Sequence, residues 1–368
     1  MNVLDRTLPS GSEAAHPDGD ASPILLVPYT WIGDFVRCHS VVRLLKSRMP
    51  HRPVDVLTTS LCAPLIDYMD GIRKGVVADL PHGQMALAAR QALAKRLRQE
   101  GYGTAIVASR SWKAALAPFL AGIPVRTGFF GEMRLGLLND IRFGEKKLPR
   151  MIERSAALAL PKGVPLPAHF PLPELRVPAG EVSGFLQRRG INAEAGRAVA
   201  MAPGSHASPS KRWPAEHYSG LAQTLAIQGI PVWILGGPNE TALARQIADG
   251  AAGLGAPVRD LTGNDLRDAV LALAASGAAV SNDSGLLHVA AALGTATIGI
   301  FGATSPWHWA PLNPLAAVME PQTEVTCRPC HQPTCRFGHH RCMQEIGVPQ
   351  VLDAVRDALA RPSTLTPA

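Results

Sequence analysis

The chain has 368 residues, of which 46% are apolar and 18% are charged, and it contains 36 Lys and Arg residues against 29 Asp and Glu residues. Its length predicts two domains of roughly 150 residues each, and the apolar fraction suffices for two hydrophobic cores. The low charged fraction excludes a disordered acidic chain and a coiled coil. No stretch reaches the roughly 18 consecutive apolar residues of a membrane-spanning helix.

The positive charge is confined to one half of the chain. Residues 1–180 contain 23 Lys and Arg against 15 Asp and Glu, a net charge of +8, whereas residues 181–368 contain 13 against 14, a net charge of −1. Such a surplus predicts an acidic partner for the first half: nucleic acid, a membrane surface or an anionic substrate. Nucleic acid is disfavoured because only 5% of the residues are aromatic and no stacking motif interleaves the cations.

The first half of the chain predicts one α/β domain over residues 23–178. Residues 1–22 are rich in Gly, Ser, Ala and Asp and lack an apolar segment, which predicts a disordered leader of a cytoplasmic protein rather than a signal peptide. Short apolar runs then predict buried parallel strands at 24–27, 54–57, 76–78 and 104–107, with helices at 35–48 and 85–100. Residues 161–178 are rich in proline, and we interpret them as the interdomain linker.

A second series of strands and helices follows, and it predicts a domain over residues 179–347. Its strands are expected at 198–201, 232–235, 278–280 and 297–301, and a C-terminal amphipathic helix and tail are expected over 348–368. The predicted fold is therefore α/β, with two doubly wound, Rossmann-like domains facing across a cleft. Ligands of such sheets bind beyond the carboxyl ends of the strands, so the loops there are the candidate sites.

Asp34 is the candidate general base of the first domain. It follows the first strand and a Gly-containing turn, just before a predicted helix. A carboxylate at that position can take a proton from a substrate hydroxyl. The alternative is that Asp34 only caps the helix, since Asp is a favoured capping residue.

Three loops of the second domain carry candidate binding groups for an anionic ligand. The loop after the strand at 198–201 is rich in Gly and Ser. This loop and the loop after the strand at 278–280 precede predicted helix starts, which favour phosphate. The loop after the strand at 232–235 offers a carboxylate for a ribose. The residues are Ser205, Lys211, Glu240, Asp283, Ser284, Gly285 and His288. Each loop has a structural alternative: a solvated basic loop, a helix cap, a structural His or a first-turn acid. Together they predict a nucleoside diphosphate site.

Four cysteines lie close together in the sequence near the end of the second domain, accompanied by three histidines. They are Cys327, Cys330, Cys335 and Cys342. In a cytoplasmic chain this clustering predicts a structural zinc ion or an iron–sulfur cluster, and the alternative is a loop of free thiols. No cofactor is predicted to be required for the chemistry, and the sequence contains no signal for or against Mg²⁺.

Several of these motifs resemble those of family 9 glycosyltransferases, the heptosyltransferases of lipopolysaccharide core assembly. The resemblance rests on residues 31–34, 210–214 and 282–290, and residues 126–128 and 131–140 resemble the heptosyltransferase II branch. It implies a GT-B fold and an inverting transfer of L-glycero-D-manno-heptose from ADP-heptose. The implied acceptor is the first inner-core heptose on Kdo-lipid A, which places the protein at the inner face of the inner membrane.

The resemblance also implies roles for individual residues. The base corresponds to Asp34, the diphosphate-contacting lysine to Lys211 and the ribose acid to Glu240. The further phosphate and sugar contacts correspond to Asp283, Ser284, Gly285 and His288. In the basic first half, Lys113, Arg126 and Arg134 are expected to meet acceptor phosphates or Kdo carboxylates, unless they are solvated surface cations. The alternatives are a family member with another acceptor, as in heptosyltransferases I and III, another nucleotide sugar or, remotely, a nucleic-acid-binding protein.

Overall fold

The fold consists of two six-stranded parallel sheets, each flanked by helices, in a computed structural model that describes residues 21–81, 83–205 and 208–361. The leader predicted at residues 1–22 falls outside the described residues except for its last two. The two doubly wound sheets confirm the predicted α/β architecture.

The first sheet has the strand order β3-β2-β1-β4-β5-β6, and every pairing is parallel. Its strands are β1 (Ile24–Val27), β2 (Val54–Thr58), β3 (Lys74–Val77), β4 (Thr104–Val107), β5 (Val125–Phe129) and β6 (Asp140–Arg142). The helices are α1 (Ile32–Arg37), α2 (His39–Arg48), α3 (Ala63–Ile66), α4 (Leu87–Gln99), α5 (Trp112–Leu120) and α6 (Met151–Ala157).

The second sheet repeats this plan with the order β12-β11-β10-β7-β8-β9, again entirely parallel. Its strands are β7 (Val199–Ala202), β8 (Val232–Ile234), β9 (Val258–Asp260), β10 (Ala278–Asn282), β11 (Ala296–Ile300) and β12 (Ala317–Met319). The helices are α7 (Ala179–Arg189), α8 (Ala215–Ile227), α9 (Thr241–Gly250), α10 (Leu266–Ala275), α11 (Gly285–Ala292), α12 (Pro306–Trp309), α13 (Arg341–Gln344) and α14 (Val348–Ala360).

The central strands are apolar because helices cover both faces of each sheet. β1 and β7 are buried along their whole length. In each sheet the strand order reverses at one point, between β1 and β4 in the first and between β7 and β10 in the second. The loops at the carboxyl ends of these four strands therefore border the crevice in which doubly wound sheets bind their ligands.

The two domains meet directly at the starts of α1 and α11. A methyl group added at Gly33 would lie 2.6 Å from Cδ2 of His288, and one added at Gly285 would lie 2.8 Å from Cβ of Ile32. Glycine at both positions thus allows the helix starts to approach closely. The linker joins the domains as well, since the Leu175 amide donates to the Ala292 carbonyl at 2.8 Å.

Among the helices of the described residues, none combines the length and the apolar character that crossing a membrane would require.

Candidate active site

Asp34 lies inside the first turn of α1, not before it. The helix begins at Ile32, and Trp31 occupies the position before it in an extended conformation. The alternative that Asp34 is the helix cap is therefore wrong. Its carboxylate accepts a hydrogen bond from Arg37, one turn further along the same helix, with Nη1 and Oδ1 separated by 3.2 Å.

Arg37 connects this carboxylate to the second domain. Its Nη2 donates to Nε2 of His288 at 2.8 Å and to the Trp309 carbonyl at 2.8 Å, and its guanidinium lies 4.9 Å from the centre of the Trp309 ring. Arg37 is itself buried. Arg37 is not among the residues predicted from the sequence, although its place three residues after Asp34 puts both on one helix face.

The connection continues to the predicted phosphate-binding lysine. Asp283 accepts a hydrogen bond from Nζ of Lys211 at 2.8 Å, and Nε2 of His288 lies 3.7 Å from Oδ1 of Asp283. The candidate base in one domain and the candidate donor-binding groups in the other therefore form one continuous polar network. The structure brings together four residues that the sequence predicted and adds Arg37 between them.

Burial and neighbouring charges set the protonation states of this network. Burial raises the pKa of Asp34 above its usual range, and the charge and hydrogen bond of Arg37 oppose that rise. Burial, together with the nearby Arg37 charge, lowers the pKa of His288 to about 4. Burial would raise the pKa of Asp283, but His288 and Lys211 hold it well below its usual range.

These states define the roles of the side chains at neutral pH. His288 is a neutral ring whose Nε2 accepts from Arg37, so its contact with Asp283 at 3.7 Å is not an ion pair. Asp283 is ionised and holds the Lys211 ammonium in place. A raised pKa brings Asp34 nearer to the range in which a general base works efficiently.

Asn282 is a second residue of the site that is not among those predicted from the sequence. It is fully buried at the end of β10, where its Oδ1 accepts from the Trp213 amide at 2.9 Å and its Nδ2 donates to the Pro203 carbonyl at 2.7 Å. Its side chain thereby ties the loop after β7 to the loop after β10. The sequence signal was present, because Asn282 belongs to the same motif as Asp283.

The remaining predicted donor-side residues border the same crevice. Ser284 precedes α11, and its Oγ lies 2.9 Å from Oγ of Ser281. Glu240 packs against the backbone of two loops, since a methyl group added at Gly204 or Gly236 would lie within 2.8 Å of its side chain. Ser205 ends the described part of the loop after β7, and its carbonyl accepts from Arg212 at 3.1 Å.

A cavity of about 510 Å³ lies at the carboxyl ends of the first sheet's strands, next to α1. Hydroxyl groups, aromatic rings and one lysine line it, including Thr30, Trp31, Thr59, Ser109, Trp112 and Lys113. Lys113 follows the cap of α5, and its Nζ donates to the Gly83 carbonyl at 2.7 Å. Asp34 itself does not line the cavity, but Trp31 and Phe35 on either side of it in the sequence do, so the cavity can hold a polar acceptor next to the start of α1.

The other two predicted acceptor cations do not line this cavity. Arg126 donates to the Leu137 carbonyl at 2.7 Å and to the Ile123 carbonyl at 2.5 Å. Arg134 is only 2% exposed, and it donates to the carbonyls of Ser109 and Phe129. This burial excludes the alternative that Arg134 is a solvated surface cation, and a contact between Arg134 and the acceptor stays a prediction.

A larger cavity of about 710 Å³ lies at the opposite, amino ends of the same strands. None of the predicted site residues lines it. Its position is remote from Asp34 and from the loops at the strand carboxyl ends, so its size alone does not make it the active site.

The four clustered cysteines surround one small cavity together with His339 and His340. Burial, together with the nearby Cys330, Cys327 and Cys335 thiols, raises the pKa of Cys342 to about 11. In the part of the chain that the structure describes, no three His, Cys, Asp or Glu side chains are arranged to hold a metal ion. The structural metal stays a prediction, which metal analysis of protein purified without chelators tests.

The Cys-rich segment supports the loop that carries Lys211. Nε2 of His340 donates to the Ser210 carbonyl at 2.7 Å, and the Ser210 amide donates to the Pro333 carbonyl at 3.1 Å. His331 of the same segment lies near Lys211 and Asp283, and burial lowers its pKa. The segment is thus part of the site's structural support.

A half-buried carboxylate in one doubly wound domain lies close to a hydroxyl-lined cavity and is linked through Arg37 to candidate anion-binding groups in the other domain. Two such domains with a shared crevice form the GT-B architecture. The comparisons with known proteins give the family. Residues 90–340 match the profile described as glycosyltransferase family 9 (heptosyltransferase).

Similar proteins cover nearly the whole chain. Lipopolysaccharide heptosyltransferase 2 of Escherichia coli K12 is 35% identical over 91% of this chain and 98% of its own length. Lipooligosaccharide heptosyltransferase 2 of Haemophilus influenzae is 33% identical over 92% and 99%. The solved structure of E. coli ADP-heptose LPS heptosyltransferase II superposes with a TM-score of 0.81 and 33% identity, covering 92% of this chain and 98% of that one.

The chain belongs to glycosyltransferase family 9, and it is a glycosyltransferase. The resemblance that its sequence motifs indicated is confirmed.

Proposed function

We propose that this protein transfers L-glycero-D-manno-heptose from ADP-heptose to the first heptose of the lipopolysaccharide inner core on Kdo-lipid A. The observation that carries the proposal is the polar network from Asp34 through Arg37 and His288 to Asp283 and Lys211, in a chain similar over nearly its whole length to heptosyltransferases 2. It connects the proposed proton acceptor to the proposed diphosphate site through a chain of side-chain contacts.

In the proposed reaction, the acceptor hydroxyl lies in the cavity beside Asp34 and attacks the anomeric carbon of the heptose. Asp34 takes the hydroxyl proton as the new carbon–oxygen bond forms. The bond from the anomeric carbon to the β-phosphate oxygen breaks, ADP leaves with the electron pair, and the anomeric configuration inverts.

The second domain stabilises the leaving diphosphate. We assign the stabilisation of the growing negative charge to the Lys211 ammonium and to the backbone N–H groups at the start of α11. Glu240, which packs against two loops of this domain, is proposed to accept the ribose hydroxyls. Every step uses groups of this chain, and no step is assigned to a metal ion.

A cytoplasmic location, peripheral to the inner face of the inner membrane, belongs to this proposal. Its support is the chemistry of the proposed substrates: a nucleotide sugar on one side of the site and a membrane-embedded glycolipid on the other. The surplus of positive charge in residues 1–180 favours such an anionic acceptor.

The test is turnover with ADP-heptose and defined truncated acceptors, in the wild type and in Asp34→Asn. We expect wild-type transfer only to acceptors that end in the first heptose. Loss of the base should lower kcat by roughly 100-fold to 10,000-fold, while ADP-heptose still binds in calorimetry. Near-wild-type turnover of the variant would contradict the role of Asp34, and transfer from another nucleotide sugar would contradict the donor.

Lys211→Ala provides the complementary variant. A charge-assisted hydrogen bond contributes about 1.5–3 kcal/mol, so ADP affinity should fall about tenfold or more. Unchanged ADP affinity by calorimetry would remove Lys211 from the diphosphate site.

A further inference from the structure

The segment that follows β5 forms a loop fixed from the inside by Arg134. The Arg134 guanidinium donates to the carbonyls of Ser109 and Phe129 and is buried. Gly131 lies so close to residue 110 that an added methyl group would stand 2.7 Å from the Arg110 carbonyl. The loop is therefore held rigidly against the loop after β4.

This rigid loop and the end of β6 expose large apolar side chains to solvent. Met133 is 84% exposed, Phe143 is 70% exposed and Leu135 is 63% exposed. Phe130 is also exposed, and its ring stacks on that of Phe143 with 5.6 Å between centroids. We call these four side chains, Phe130, Met133, Leu135 and Phe143, the apolar surface.

Cations border the apolar surface. Lys146 and Lys147 are exposed on the short turn that follows Phe143. Arg110 is exposed too, and its charge is paired with Glu145 at 3.2 Å. The exposed acid of the loop, Glu132, accepts a hydrogen bond from the Trp112 amide at 3.4 Å.

The apolar surface adjoins the proposed acceptor cavity. Glu132, in the same loop as Met133, lines that cavity, and so does Ser109, whose carbonyl receives Arg134. A glycolipid acceptor has its sugars in the cavity and its acyl chains in a bilayer. The bilayer surface must therefore come within a few sugar units of this loop.

We propose that the apolar surface inserts into the headgroup region of an anionic membrane, with Lys146 and Lys147 at the level of the lipid phosphates. Apolar and aromatic side chains flanked by Lys are the combination that binds membrane interfaces. This inference rests on the proposed function for the orientation of the cavity toward the membrane. A second copy of the chain is the less favourable occupant, because it would bring two basic first domains together.

The test is co-sedimentation with vesicles that contain no donor and no acceptor, made of phosphatidylcholine alone or mixed with phosphatidylglycerol. We expect the wild type to prefer the anionic vesicles. Met133→Asp combined with Leu135→Asp should weaken that binding about tenfold or more. The matched control is Ile227→Asp, an equally exposed apolar residue at the end of α8 in the second domain, which should bind like the wild type.

Lys146→Glu combined with Lys147→Glu should weaken binding to the anionic vesicles about tenfold or more and leave binding to phosphatidylcholine unchanged. Equal binding of the Met133/Leu135 variant and the control would overturn the proposal. So would a wild-type dimer that this variant converts to a monomer in sedimentation velocity, because a second copy would then cover the surface.

Turnover with a deacylated, water-soluble acceptor separates this inference from the proposed function. The Met133/Leu135 variant should turn over that acceptor like the wild type, since neither side chain lines the cavity. Failure of transfer by the wild type would contradict the proposed function alone, and the vesicle result would still decide the membrane surface.

Discussion

Arg37 connects the candidate base in the first domain to the candidate donor-binding groups in the second domain. It bonds Asp34 within its own helix and His288 across the domain boundary. The other charged groups near Asp34 are Asp283, which raises the pKa of its carboxyl, and Lys211, which lowers it. Arg37 has the larger opposing effect, so it both orients the base and limits the rise in its pKa.

We therefore expect Arg37→Met to move the acid limb of the kcat/KM profile to higher pH. The base works ionised, so activity falls as the pH drops through the Asp34 pKa, and removing the Arg37 charge raises that pKa further. The measurement is the pH dependence of turnover in the variant and in Arg48→Met, an exposed arginine of α2. An acid limb at the wild-type position would show that Arg37 is only a structural contact.

At the scale of elements, the Cys-rich segment supports the donor loop through His340. Replacing His340 by Asn removes the hydrogen bond to the Ser210 carbonyl but suits the left-handed backbone at that position, where φ is 49°. We expect ADP affinity to fall about fivefold, as for the loss of one hydrogen bond of about 1 kcal/mol. The control is His339→Ala, whose ring stacks on Phe337 instead, and equal ADP affinity in the two variants would refute the supporting role.

The elements that the sequence predicted well are those with continuous apolar runs. β1 occupies the predicted residues 24–27, and α14 begins at the start of the helix and tail predicted over 348–368. Four strands, β5, β6, β9 and β12, are missing from the prediction. β6 and β9 are three residues long and include Asp and Arg, so they carry no apolar pattern. Their place comes from pairing with a neighbour, which is a tertiary effect.

The candidate site was predictable to the extent that its residues lie in strand-end loops. Asp34, Lys211, Asp283 and His288 were all found in this way, and the structure brings them together. Arg134 could not be placed from sequence, because nothing in its neighbours signals that carbonyls of two separate loops surround it. Its burial gives the loop its rigidity, a role that a count of charges does not indicate.

At the scale of the whole molecule, the two domains are connected at several separate places around the crevice. α1 contacts α11, Nδ1 of His308 donates to the Pro149 carbonyl at 2.6 Å, and Arg267 of α10 donates to the Tyr68 hydroxyl at 2.9 Å. The two domains differ in net charge, because the first is positive and the second is nearly neutral. A net charge attracts a large anionic acceptor, whereas a few directed groups suffice for a small nucleotide sugar.

The approach of α1 to α11 should therefore be essential for turnover but not for donor binding. In Gly33→Ala the new methyl group would lie 2.6 Å from the His288 ring, so the helices must separate. A displacement of about 1 Å between reacting groups lowers rates roughly 100-fold, and we expect a loss of that order in kcat. ADP affinity should change much less, because Lys211 and Glu240 belong to the second domain.

The control is Gly180→Ala in α7, where an added methyl group meets no atom within 4 Å. Wild-type kcat in Gly33→Ala would mean that the reaction does not depend on this contact, whereas equal losses of kcat and ADP affinity would place the damage in the donor site itself.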